Sequence, residues 1–134
     1  GVENDPEKTH VITDFINMSH NNRQISMRTN GAEERQFLHA DDCSACLTTI
    51  AEQYDTIPRD EELHVTSFEW TSILDVAELV AKRFYNTKIM PSSKVDNVQQ
   101  GVRNEPSKAI CKYWQPKLDL ETGINKVIKD MNLG

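Results

Sequence analysis

Apolar residues along this chain recur with two periods, and the changes between them mark out its elements. Val11, Ile12, Phe15 and Ile16 fall at helical spacing. They predict a first helix from Pro6 to about Asn21, with Asp5 as a cap and Pro6 at the first helical position. From Gln24 to Thr29 the spacing changes to alternation, Ile25 and Met27 against Ser26 and Arg28, which predicts a half-exposed strand. Asn30-Gly31 is a turn signal, and Arg35 to Ala40, carrying Phe37 and Leu38, reads as a second short strand. A helix is expected over Asp41 to Tyr54, with Cys43, Cys46, Leu47 and Ile50 as its apolar stripe and two carboxylates at its positive end. After a polar loop from Asp55 to Glu62, Leu63 to Ser67 reads as a strand. Ser72 caps a third helix whose buried face is Ile73, Val76, Ala77, Val80 and Phe84, with Asp75 completing a near capping box. Lys88 to Pro91 is a short strand, Pro91 to Gly101 a loop, and Glu105 to Trp114 a short helix stopped by Pro116. Leu120, Ile124, Val127, Ile128 and Met131 define a final amphipathic helix with Asp119 near its start. The fold class is therefore α/β of the mixed α+β kind, with short strands and four to five helices.

Composition narrows what such a fold can do. At 134 residues and 37% hydrophobic the chain is one domain with a modest core. Fifteen basic against 21 acidic side chains leave a net charge of -6. Phosphate backbones therefore exert no general attraction. The densest basic stretch, Lys108 to Lys117, is broken by Ile110, Tyr113 and Trp114, so no nucleic-acid partner is expected. No apolar run approaches the ~20 residues of a membrane span, and no signal-peptide core follows Gly1, so no membrane partner is expected either. Three cysteines, an odd number, suit a reducing compartment and a cytoplasmic location. The glycines are Gly1, Gly31, Gly101, Gly123 and Gly134. A dinucleotide fingerprint needs three within six residues and a P-loop a similar density, so neither device is present.

The order of segments is more specific than their composition. Gly31-Ala32-Glu33-Glu34-Arg35-Gln36-Phe37-Leu38-His39-Ala40-Asp41-Asp42 resembles a signature of the extended short-chain dehydrogenase/reductases, the nucleotide-sugar epimerases and dehydratases. His64-Val65-Thr66-Ser67 resembles that family's strand ending in Asn-x-Gly-Ser. Ser72 to Val80 resembles the helix that follows it. Glu105-Pro106-Ser107-Lys108-Ala109, then Trp114-Gln115-Pro116, and finally Leu120-Glu121-Thr122-Gly123-Ile124 match further elements in order. Gly1-Val2 and the first helix resemble the segment before them. Gln36, His39, Ala40, Glu105 and Tyr113 depart from the usual residues, which bears on substrate identity.

The resemblance implies that residues 1–134 form a single C-terminal, nucleotide-sugar-binding lobe without a complete Rossmann domain. NAD or NADP would belong to an N-terminal dinucleotide-binding domain absent from this chain, and no cofactor is expected on the chain itself. Arg35 matches the arginine that grips the substrate diphosphate, a task suited to a guanidinium fork. A surface arginine paired with Glu33, Glu34 or Asp41 is the other reading. Lys94 and Arg103 are candidates for a second basic contact to the diphosphate. Thr13 and Asn17 are candidate substrate contacts. So are Ile25 and Met27, for which ordinary strand packing is an equal alternative.

Catalysis in the family needs a tyrosine with a lysine four residues on in one helix. Tyr113 and Lys117 have that spacing, but Pro116 breaks any such helix, so they are a decoy and no catalytic residue is expected here. Cys43 and Cys46 read as helix packing rather than a redox or metal pair. His39 reads as a solvated strand residue with substrate contact as the alternative. Asp41 and Asp42 read as capping and dipole compensation rather than a carboxylate dyad. The chain alone should be catalytically inactive, as part of an NAD-dependent epimerase or dehydratase acting through a transient keto-sugar. A non-catalytic ligand-binding or interaction module, or a fragment with no separate function, is the alternative. In the family the second helix packs on the missing lobe. Its Cys43/Cys46/Leu47/Ile50 face should therefore be exposed, or be covered in an oligomer.

Overall fold

The computed structural model describes residues 11–95 and 105–133. Asp5, Pro6 and Arg103 lie outside them. Helix α1 spans Val11–Asn22, strand β1 Gln24–Ser26, β2 Glu34–Gln36 and α2 Ala40–Glu52. Strand β3 is Trp70–Ser72, α3 Ile73–Ala81, β4 Lys88–Met90 and α4 Leu120–Asp130. Single 3-10 turns lie at Tyr54–Thr56 and Ala109–Lys112.

The strands form two separate pairs. β1 and β4 are parallel, Ile25 opposite Ile89. Their ladder runs on past the strand ends, because Met27 N–H donates to Met90 O, Ser92 N–H to Thr29 O and Asn30 N–H to Lys94 O. β2 and β3 are antiparallel, with Arg35 opposite Thr71.

The β2–β3 pair exists partly to start α3. A helix leaves its first four amides unpaired. Here Ile73 N–H donates to Glu33 O, Leu74 N–H to Gly31 O, and Asp75 N–H to the Ser72 hydroxyl at 3.1 Å. Gly31, at φ +80°, delivers its carbonyl from a backbone shape that side chains resist. The glycine four residues before Arg35 thus has a structural task.

The interior is divided in two. The larger cluster gathers Phe15 and Ile16 of α1, Ile25 and Met27 after it, Ile73, Val76, Ala77 and Val80 of α3, Phe84, and Ile124 and Ile128 of α4. The smaller one holds Cys46, Ile110 and Trp114, with Leu38, Ile50, Leu63, Val65 and Phe68 against it. The extended segment after β2 feeds both, because its successive side chains point opposite ways. Phe37 packs on the larger cluster and Leu38 on the smaller.

The second strand, expected over Arg35 to Ala40, is shorter and starts earlier, at Glu34–Gln36, with Ala40 already in α2, and two further expected elements differ more. Leu63–Ser67 is not a strand. Leu63 and Val65 pack on the smaller cluster and His64 Nδ1 accepts from Ser107 N–H at 2.9 Å. No ladder forms on this segment among the described residues, and a strand needs a partner to become one. The helix expected over Glu105–Trp114 contracts to the Ala109–Lys112 turn, its first amide bonded to the Ser107 hydroxyl.

Candidate functional site

Arg35 lies on a cleft of about 820 Å³, a size suited to a small ligand. One wall comes from the chain leaving β2, Arg35 to Ser44, and the other from Leu118 to Val127 on α4. Val11, Ile12 and the buried Thr13 of α1 close one side. Arg35 and Thr13 are thus brought to one cavity. Arg35 Nη1 donates to Glu34 O at 3.1 Å, while Glu33 bonds Thr29 and Asp41 bonds Lys126.

The other candidates fall elsewhere. Asn17 is exposed one turn further along α1. Ile25 and Met27 are 0% and 7% exposed within the larger cluster, so strand packing accounts for both. Lys94 is exposed on the segment that pairs with Asn30, close in sequence to the Gly31 turn.

The start of α2 is built differently from its sequence reading. His39, rather than an aspartate, is the N-cap: its Nδ1 accepts from Asp41 N–H at 3.0 Å. Its side chain is only 7% exposed, so it is not a solvated histidine, and it lines the cleft. A Cβ placed on Gly123 would sit 3.6 Å from the His39 ring, so the imidazole rests against α4 where that helix has no side chain. Asp41 reaches across to Lys126 at 3.0 Å. Asp42 is 4% exposed and its Oδ2 accepts from Lys117 N–H at 3.1 Å and Leu118 N–H at 2.8 Å. Sequence reasoning found neither partner, because both lie more than 70 residues away.

Tyr113 and Lys117 do not share a helix. Tyr113 follows the 3-10 turn and its hydroxyl donates to Glu61 Oε2 at 3.2 Å. Burial and that hydrogen bond push its phenol up, opposite to what an activated tyrosine requires. Cys46 is buried and Cys43 half-buried, and burial raises the Cys46 thiol. Among the described residues no group of three or more His, Cys, Asp or Glu gathers as a metal site, and no helix is long and apolar enough to cross a membrane.

Helices α2, α3 and α4 each begin at a capped N-terminus. Pyrophosphate binding uses unpaired amides at a helix N-terminus. His39 caps α2, Ser72 and two carbonyls cap α3, and Asp119 caps α4 by accepting from Thr122 N–H at 2.7 Å.

Several ionised groups lie below or above their ordinary ranges. Hydrogen bonds from Lys126, Lys112 and the Thr122 amide hold Asp41, Glu61 and Asp119 low. A carboxyl depressed in the folded state stabilises it at neutral pH, and that contribution is lost as pH falls below about 4. Glu61 raises Lys112, and burial raises Tyr113, so their contributions hold below about pH 10 and are lost above it. Melting temperature should be flat from about pH 5 to 9 and fall on both sides. A steady slope between pH 6 and 8 would contradict this assignment.

Comparison with known proteins gives the arrangement its context. The fold is that of the epimerase-type short-chain dehydrogenase/reductases. Pal from Bacillus thuringiensis superposes with a TM-score of 0.76 at 20% identity, over 98% of this chain and 41% of its own. UDP-glucose 4-epimerase from Thermotoga maritima gives 0.76 at 17%, over 98% and 42%. Residues 1–66, just under half of the chain, match the model of the NAD dependent epimerase/dehydratase family. A probable GDP-L-fucose synthase of Oryza sativa subsp. japonica is 28% identical over 131 residues, 92% of this chain and 39% of the relative. A GDP-L-fucose synthase of Sinorhizobium fredii is 25% identical over 129 residues, 91% and 40%. The chain thus spans about two fifths of the curated relatives it matches.

Proposed function

We propose that this chain is the nucleotide-sugar-binding lobe of an NAD(P)-dependent epimerase or dehydratase, which converts its substrate through a transient keto-sugar. Arg35 at the cleft carries the reading: a guanidinium can bind the diphosphate oxygens bidentately, with Thr13 and His39 on the same cavity. The cofactor and the catalytic tyrosine belong to a dinucleotide-binding domain outside these residues, and the chain alone turns nothing over.

Two features of α2 and its neighbourhood support a missing lobe. Cys43 to Ala51 carries no charge, yet Ser44, Ala45, Leu47, Thr48 and Ala51 are exposed, Leu47 at 56%. Solvent-facing helix surfaces ordinarily carry charge. The apolar stripe divides, with Cys46 buried and Leu47 uncovered. Beside it, Leu63–Ser67 has the composition of a strand and no sheet to join among the described residues. A Rossmann lobe would supply cover for one and a ladder for the other.

The sequence relatives are named GDP-L-fucose synthases, so guanosine diphosphate is the first ligand to try. Calorimetric titration of the chain with GDP, UDP and dTDP should show saturable binding of at least one, with the matching monophosphate weaker. Absence of heat with all three, at millimolar ligand, would sink the reading. Turnover of a nucleotide-sugar with added NAD would overturn the claim of inactivity.

A further inference from the structure

We infer that Asp42 is a positioning residue that sets the width of the Arg35 cleft by clasping its two walls together. The inference rests on the functional reading above and deepens it. Three contacts within four residues tie the start of α2 to the C-terminal wall: His39 against Gly123, Asp41 to Lys126, and Asp42 to two successive amides. They differ in strength. The His39 contact is van der Waals, and the Asp41–Lys126 pair is 63% and 45% exposed at its two ends, so water and salt screen it. Asp42 alone combines burial with hydrogen bonding across the gap, and a carboxylate receiving two backbone N–H bonds in a dry setting makes the stronger type of hydrogen bond.

What Asp42 holds matters as much as how firmly. Leu118, Asp119 and Leu120 line the 820 Å³ cleft and also a neighbouring one of about 510 Å³, so they form the septum between the two. The septum has no regular structure before α4 begins at Leu120. Its position is fixed by the Asp119 cap at one end and by the Asp42 carboxylate at the other. Asp42 sits seven residues after Arg35 on the opposing wall. Release of the clasp frees the septum to move relative to Arg35 and leaves the core of α1, α3 and β1 untouched.

The test begins with the unaltered protein. In a pH titration followed by NMR, the amide protons of Lys117 and Leu118 should shift together with one common midpoint, and both should exchange more slowly than Gln115. Independent shifts, or exchange as fast as Gln115, would overturn the clasp. Asp42→Asn keeps the shape and removes the charge. It should speed exchange at both amides and weaken nucleoside diphosphate binding about tenfold or more, through two weakened bonds. Trp114→Leu serves as the comparison, since Trp114 lies in the smaller cluster and on neither cleft. It should lower the melting temperature at least as much while leaving affinity within about twofold. Equal loss of affinity in both variants would reduce Asp42 to a stabilising residue and overturn the proposal. If the unaltered chain binds no nucleotide, the functional reading falls, and the cleft-setting role with it. The amide titration still decides whether the clasp exists.

Discussion

On the proposed function, replacing Arg35 by alanine should lower the affinity for a nucleoside diphosphate roughly 30- to 1000-fold, below calorimetric detection, while the chain stays folded. The range follows from losing a bidentate, charge-assisted contact worth about 2–4 kcal/mol. Folding survives because β2 pairs with β3 through its backbone, and because Arg35 is outside both apolar clusters. Arg35→Lys should recover only part of the affinity, since an ammonium keeps the charge and loses the planar fork. Three measurements bear on this result: the titration, the far-ultraviolet dichroism, and the salt dependence of binding. Undiminished affinity in the alanine variant would mean that the phosphate groups sit elsewhere.

Gly31→Ala should unfold the chain at a markedly lower temperature. A Cβ there would lie 2.4 Å from Met27 Cε and 2.9 Å from Leu74 Cβ, on a backbone with φ +80°. Strain of about 1–3 kcal/mol from the left-handed backbone and a similar overpacking term give about 2–4 kcal/mol after relaxation of the flexible methionine. For a chain of this size that is a fall of roughly 8–15 °C. Gly123→Ala is the internal control. Its new methyl would meet only the His39 ring at ordinary contact distance, within a helix that gains from alanine. A mild effect at Gly31 would show that the turn, and the α3 amides it caps, can rearrange freely.

The parts of this molecule that sequence makes legible are those decided by neighbours in sequence. Ser72 and Asp119 cap α3 and α4 through amides three residues on, and the apolar spacing behind each cap specifies the buried face. The strand expected at Leu63–Ser67 fails because strand character is a property of a pair, and the pattern of one segment cannot supply its mate. By spacing alone, Asp41 and Asp42 read as local compensation for α2, because local explanations are the ones that spacing offers. Their partners, Lys126 and the amides of Lys117 and Leu118, become neighbours only once α4 has packed. Nothing in the sequence marks His39 as a cap, because histidine is not among the residues that usually cap. The resemblance to a family placed Arg35, but its cleft-mates came from the fold. One backbone detail had no signal at all: Phe68 takes φ +62°, a costly conformation for an aromatic residue, on the rim of the smaller cleft.

The two apolar clusters also govern how the chain comes apart. The larger one joins α1, α3, α4 and the parallel strand pair, whereas the smaller depends on one helix, a single 3-10 turn and an extended segment. Interiors divided in this way open in separate cooperative units, the thinner at lower free energy. The Arg35 cleft lies along the seam, with Leu38 from one unit and Ile12 and Ile124 from the other on its walls. A ligand bridging that seam would be linked to the closed state of both. Occupancy would then convert a chain with two melting units into one that unfolds in a single step.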